Sequence, residues 1–284
     1  MMKKSIILLI LAALLPISCN KGLPQGESRL VVEGWIENGG HPMVLVSESF
    51  AIEVGKEIST SDLLESLAKW ARVTVSDGDT SIILTGVVDP EYFPPYVFTT
   101  SNMTGEVGKS YDLRVEYKDY VATARTTIPE PVPLDTVYLA SVKDSLCHVV
   151  CGFTDPPRKG NYYKFFTRTT GKDSHYHSSA LALTDDADLN GYTEMFLYST
   201  LRLMDFIAMP NICQGDELWV KLCTLNQEEF LFWKDYESIL YANLFNAQTS
   251  AQKRGNVQGA LGYWAGYGVD QPVCIQLDGP SDSE

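Results

Sequence analysis

The chain has 284 residues, with 22 Lys and Arg against 36 Asp and Glu, for a formal charge of −14 at pH 7. A charge balance this acidic leaves no basic stripe for a phosphate backbone, so nucleic acid is excluded as a partner. With 45% hydrophobic residues there is ample material for a core, enough for one large domain or two of ordinary size.

The first segment is organised as a leader. Met1-Met2-Lys3-Lys4 is cationic, Ile6 to Leu15 is apolar, and Pro16-Ile17-Ser18-Cys19 ends on a small residue before a cysteine. This is the layout of a secretory signal peptide over residues 1–18, and the apolar run is too short to span a bilayer. Ser18-Cys19 gives it the lipoprotein form, in which Cys19 carries the lipid attachment. Acyl chains such as palmitate, at about 0.8 kcal/mol per buried CH₂, would then hold the domain on a membrane. Residues 19–27 read as a lipidated, flexible tether.

From residue 28 to 130 the pattern is that of an immunoglobulin-like β-sandwich. Leu30–Ile36 and Met43–Ser47 are apolar and β-branched, and the turn at Asn38-Gly39 between them favours φ > 0. An amphipathic helix capped at Thr60 or Ser61 is predicted from Leu63, Leu64, Leu67 and Trp70. Strands are predicted at 71–76, 80–88, 96–99, 110–117 and 121–128, with turns at the spacing of a sandwich. Pro129-Glu130-Pro131-Val132-Pro133 cannot sit inside a sheet and marks the domain boundary.

Residues 131–277 read as a β-rich second domain. Strands are predicted at 136–141, 147–154, 162–168, 194–200 and 217–223. The period then changes, and Phe230, Trp233, Leu240 and Leu244 mark one long helix over about 227–246, with Glu228 and Glu229 at its positive end. Strands at 262–267 and 273–277 follow, and 278–284 is a disordered acidic tail. Trp35, Trp219, Trp233 and Trp264 are predicted core residues. Besides Cys19 there are Cys147, Cys151, Cys213, Cys223 and Cys274. Cys147 and Cys151 share one strand face about 13 Å apart, at ~3.3 Å per residue, too far to bridge. Buried thiols are the plain expectation, and Cys213 with Cys223 is the pair to test for a disulfide.

Three groups of residues bear on chemistry. Asp186, Asp188 and Asn190 before Gly191 form the opening half of a calcium loop, with Glu194 as a further oxygen. The glutamate that closes such a loop is missing, and an Asx-capped acidic turn fits the same residues. His175 and His177, near Asp173, share a strand face as a zinc pair would, but no third ligand is marked. Tyr92, Phe93 and Tyr96, in a loop of aromatics and prolines, are candidate ligand-binding anchors or a cover for the sandwich end. No nucleophile elbow, zinc-protease helix or phosphate loop is present, so no catalytic residues are assigned and the chain reads as no enzyme.

The ordered motifs Leu30–Ile36, Val73–Gly78, Tyr111–Val115, Ala124–Pro129, Phe153–Pro156, Asn161–Tyr163, Asp185–Gly191 and Gly255–Trp264 resemble the Bacteroidota outer-membrane lipoprotein family catalogued as domain of unknown function 4249. The resemblance implies an outer-membrane protein anchored through Cys19, on the periplasmic face or the cell surface, and often encoded beside TonB-dependent transporters. It implies no catalytic set and no cofactor, and it weakens the case for calcium. The expectation is a non-enzymatic accessory subunit of a TonB-dependent transporter or other outer-membrane assembly. The alternative is a free-standing glycan- or ligand-binding surface lipoprotein.

Overall fold

A computed structural model describes residues 28–49, 60–92, 95–143, 146–187, 189, 191–198, 212–244 and 255–278. Cys19, its tether and residues 279–284 of the acidic tail lie outside the described residues, as do Phe93, Asp188 and Asn190.

Alternation of buried and half-buried positions along β1 (Leu30–Glu37) turns Leu30, Val32 and Ile36 to one side and Glu33, Trp35 and Glu37 to the other. After β2 (Met43–Glu48) come α1 (Thr60–Glu65), β3 (Arg72–Ser76), β4 (Ser81–Ile83), β5 (Thr85–Val88), β6 (Tyr96–Thr99), β7 (Ser110–Tyr117) and β8 (Tyr120–Thr127). The order β1-β2-β6-β5 faces the order β4-β3-β7-β8 across one core that includes Val32, Val73, Phe98, Leu113 and Ala124. These are the A-B-E-D and C′-C-F-G orders of an immunoglobulin-like sandwich. Tyr111, at the start of the F-type strand β7, makes the tyrosine corner of such folds. Its hydroxyl accepts from the Glu106 N–H at 2.8 Å and donates to the Thr104 carbonyl at 3.3 Å.

The predicted strand over 80–88 is two strands, because the chain crosses from one sheet to the other at buried Leu84; β4 pairs with β3 and β5 with β6. The predicted helix is also shorter than its apolar spacing suggested. α1 stops at Glu65, Leu67 bridges to Ser47, and Trp70 stands 91% exposed.

A second sandwich follows the proline segment. Its strands are β9 (Thr136–Lys143), β10 (Leu146–Thr154), β11 (Tyr162–Thr169), β12 (His177–Asp185), β13 (Tyr192–Tyr198) and β14 (Glu217–Leu225). Then come α2 (Gln227–Leu244), β15 (Leu261–Val269) and β16 (Val273–Gln276). The sheet β13-β10-β9 covers β12-β11-β14-β16, with Val149, Phe153, Phe165, Val220 and Leu222 between them. The strand order again matches A-B-E against C′-C-F-G, with α2 and β15 inserted between the last two strands.

That insertion joins the two sandwiches. β15 runs parallel to β1 from Val31↔Leu261 to Glu37↔Tyr267, and it meets β14 at Cys223↔Val269 and Thr224↔Gly268. The result is one nine-stranded sheet continuous across both units. A boundary at residues 130/131 therefore assigns β15 to the second unit, whereas its pairing with β1 and the burial of Trp264 in the first core tie it to both. Asparagines clamp both ends. Asn256 accepts from Trp264 N at 2.9 Å and donates to its carbonyl at 2.8 Å, while Asn38 accepts from Val269 N at 2.7 Å and donates to its carbonyl at 2.8 Å.

α2 lies on the face of the continuous sheet away from both sandwich cores, where Phe230, Phe232 and Trp233 pack with Phe166, Leu225, Tyr267 and buried Cys223. At its start the Glu229 carboxylate reaches back to accept from the Asn226 N–H at 2.9 Å, the backbone half of a capping box. The five described cysteines are free. Cys213 follows Ile212, whose carbonyl accepts from Cys147 N at 2.9 Å, whereas Cys223 faces α2 on the far side of β14. Cys213 and Cys223, the pair to test for a disulfide, are therefore not bridged, in keeping with the expectation of free thiols.

Candidate functional site

The half-buried face of β1 opens onto a cleft of about 760 Å³ beside α2. Its floor is the continuous sheet, with Glu33, Trp35 and Glu37 from β1, Tyr263 and Tyr267 from β15, Lys221 from β14, and Phe166 and Arg168 from β11. The β5–β6 connection contributes Glu91 and Tyr92 from the first sandwich, and the chain entering β12 contributes Ser174 to Ser178 from the second. Trp233 of α2 closes one end.

Two contacts cross the cleft between the sandwiches. Tyr92 stacks on His175 with ring centroids 4.4 Å apart and planes at 19°, and it also lies 6.0 Å from Trp35. Lys221 Nζ pairs with Glu37 Oε1 at 2.5 Å, and its ammonium lies 4.5 Å from the Tyr176 ring. Burial lifts the Tyr92 phenol above its ordinary range, and Asp89 adds to the shift. Burial, reinforced by the neighbouring His177, lowers the His175 imidazole, so its neutral form is favoured against Tyr92. The Tyr176 phenol is likewise raised by burial.

The predicted anchors are separated by this geometry. Tyr92 belongs to the cleft, whereas Tyr96 covers Gly86, where an added Cβ would lie 2.5 Å from the Tyr96 hydroxyl, and it packs edge-on to Phe98 at the rim of the first core. Phe93 lies outside the described residues. His175 and His177 line the cleft with ring centroids 4.5 Å apart, and His177 Nε2 stands 3.7 Å from Asp173. Among the described residues no group of three or more His, Cys, Asp or Glu is placed to hold a metal ion.

In the acidic turn, Asp186 is bonded within the protein. Asp186 Oδ2 accepts from Gly160 N at 2.7 Å and Asn161 N at 2.9 Å. The Lys159 ammonium takes the carbonyls of Asp186 and Leu189, both at 2.5 Å. A cation already sits where the loop's carbonyls point. Glu194, from β13, accepts instead from Tyr192 at 3.0 Å and Tyr138 at 3.4 Å.

Trp35, Arg168, Tyr176, Lys221 and Tyr263 were not among the candidate residues read from the sequence. The signal for Trp35 was present: it alternates with Val32, Gly34 and Ile36 and shares a face with Glu33 and Glu37, a half-polar surface rather than a core. Trp264 is fully buried and Trp233 nearly so, as predicted, whereas Trp35 and Trp219 are half-buried.

Comparison with solved structures finds a chain described as "Cytokine receptor complex - Crystal form 1A", at 7% identity over 89% of this chain and 100% of that one, with TM-score 0.27. A second is the chicken CNTN1 FN1-FN3 domains, at 8% identity over 69% of this chain and 57% of that one, with TM-score 0.24. No curated protein matches. Residues 20–272, most of the chain, match the family described as Domain of unknown function (DUF4249), and the chain belongs to that family.

Proposed function

We propose that this is a non-enzymatic binding protein that holds a glycan in the cleft between its two sandwiches and is anchored to the outer membrane through a lipid on Cys19. The observation that carries the reading is the aromatic lining of the cleft. Trp35, Tyr92, Tyr176 and Tyr263 line a space bordered by Glu33, Glu37, Arg168 and Lys221. Aromatic faces stack on the apolar faces of sugar rings, and charged groups at the margin bind hydroxyls. The anchor is supported by the leader and Ser18-Cys19.

Affinity electrophoresis and calorimetry against a polysaccharide panel test the binding role. Trp35→Ala and Tyr92→Ala should each weaken retention tenfold or more. If no glycan is retained, or if retention is unchanged in both variants, the reading fails. Cys19→Ser should release the protein from membranes.

A second reading, an accessory subunit docked on a TonB-dependent transporter, is favoured by exposed aromatics on the second sandwich. Tyr138, Tyr192 and Phe196 on β9 and β13 are 44%, 53% and 51% exposed. Recovery of a stoichiometric β-barrel partner from detergent-extracted membranes would support it.

A further inference from the structure

The ionic groups of the cleft are divided between the two sandwiches. The first sandwich contributes Glu33, Glu37 and Glu91 with His41, and the second contributes Arg168 and Lys221 with His175 and His177. Lys221 is neutralised by Glu37 at 2.5 Å. Arg168 makes no ion pair among the described residues. Its guanidinium lies 5.4 Å from the Tyr176 ring and 5.5 Å from the Trp219 ring, and its buried Nε has no hydrogen-bond partner among the described residues. The neighbouring acid on β14, Glu217, accepts from Thr170 at 2.6 Å and from the Trp219 indole at 3.2 Å; these bonds, with a smaller contribution from the Arg168 charge, hold its carboxyl below the ordinary range, but no ion pair joins it to Arg168 among the described residues.

A guanidinium stays charged at any physiological pH, and aromatic rings fix its plane without using its N–H groups. Its donors then form a rigid fork that suits a carboxylate or a sulfate, with two parallel charge-assisted bonds. Glu33 and Glu37 lie on β1 and Glu91 on the β5–β6 connection, all in the first sandwich, so an elongated ligand would be oriented, with its anionic substituent toward β11.

We infer that Arg168 is the subsite for an acidic substituent, and that the ligand is a glycan bearing uronate carboxylates or sulfate esters. This inference rests on the glycan-binding reading of the cleft.

The test uses the full mature protein and a panel of uronate and sulfated polysaccharides, each beside its methyl-esterified or desulfated counterpart. The wild-type protein should bind acidic members tenfold or more tightly than their neutral counterparts, with the preference shrinking as salt is raised. Arg168→Met, which keeps the apolar stem between the rings, should abolish the preference, and Arg168→Lys should keep part of it. Separate arms for uronates and sulfates decide which group is recognised. Equal wild-type binding of acidic and neutral members, lost together in Trp35→Ala, would overturn the Arg168 assignment and leave the cleft reading standing. No binding to any member would overturn both. If Arg168→Met fails to fold, Arg168→Gln takes its place, and an acidic preference unchanged in a folded variant would overturn the assignment.

Discussion

The indole N–H of Trp264 donates to the main-chain carbonyl of Tyr111 at 2.9 Å. Both side chains are fully buried, and Tyr111 is the residue whose hydroxyl closes the corner of the first sandwich. A strand from the last tenth of the chain therefore completes a core begun by residues 28–128. Gly34 makes this possible, because a Cβ there would meet the Trp264 ring at 2.9 Å. Trp264→Ala should destabilise the protein by about 3–5 kcal/mol, the usual cost of removing a large aromatic from a core. Urea denaturation followed by circular dichroism reads this, and a loss below about 1 kcal/mol would refute the keystone role.

Gly262 supports the same pairing through its backbone. It sits at φ +116, and an added Cβ would lie 1.8 Å from the Val32 carbonyl oxygen. Gly262→Ala should separate β15 from β1 and cost well over 2 kcal/mol, since both strain and lost ladder bonds contribute. Gly39, at φ +77 with nothing near its missing Cβ, supplies the control. Gly39→Ala should cost only about 1–2 kcal/mol, the left-handed penalty alone.

Glu229 makes stability depend on pH. Its carboxylate lies between three elements, accepting from Thr126 Oγ1 of β8 at 2.6 Å, Gly266 N of β15 at 2.8 Å and Asn226 ahead of α2. Burial raises its pKa from 4.5 to about 7, although the hydrogen bonds from Thr126, Gly266 and Asn226 oppose the shift. The folded state therefore holds a proton that the unfolded state has lost between these values. Stability from this group is fully present below pH 4.5, falls as pH rises to about 7, and levels off above. At ~1.4 kcal/mol per pKa unit the difference is a few kcal/mol. Glu229→Gln should flatten that part of the curve in melts taken across the range, and an unchanged slope would assign it to other groups.

The Lys221–Glu37 pair crosses between the sandwiches with Lys221 9% exposed. Lys221→Met alone leaves Glu37 without its cation and should cost roughly 3–5 kcal/mol, whereas Lys221→Met with Glu37→Leu should be close to neutral. A double-mutant cycle measures the coupling. Additive losses would mean that the pair does little to join the units.

Local pattern was sufficient for most strands. β6 and β7 match their predicted bounds, β1, β2 and β3 differ by one residue at one end, and α2 begins at Gln227 where acidic residues meet the helix dipole. The errors have physical causes. Leu84 carries the chain between sheets inside one apolar run, which period-2 alternation cannot reveal. β12 contains both the His177 end of the supposed zinc pair and Asp185, so polar residues disguised a strand that pairs with β11 through an irregular register. The cleft was the least legible feature. Its residues come from β1, β11, β14 and β15, and they converge only because β15 pairs with a strand some 230 positions earlier. No local window contains that pairing. The loop aromatics drew attention to Tyr92 but grouped it with Tyr96, which packs at the rim of the first core.

Hydrogen–deuterium exchange of the full mature protein, with and without the best-retained polysaccharide of the panel, tests the cleft most directly. Ligand should slow exchange in 33–37, 174–178, 219–223 and 263–267, segments far apart in sequence that share the cleft. Protection confined to β9 and β13, or absent from all four segments at saturating polysaccharide, would contradict it.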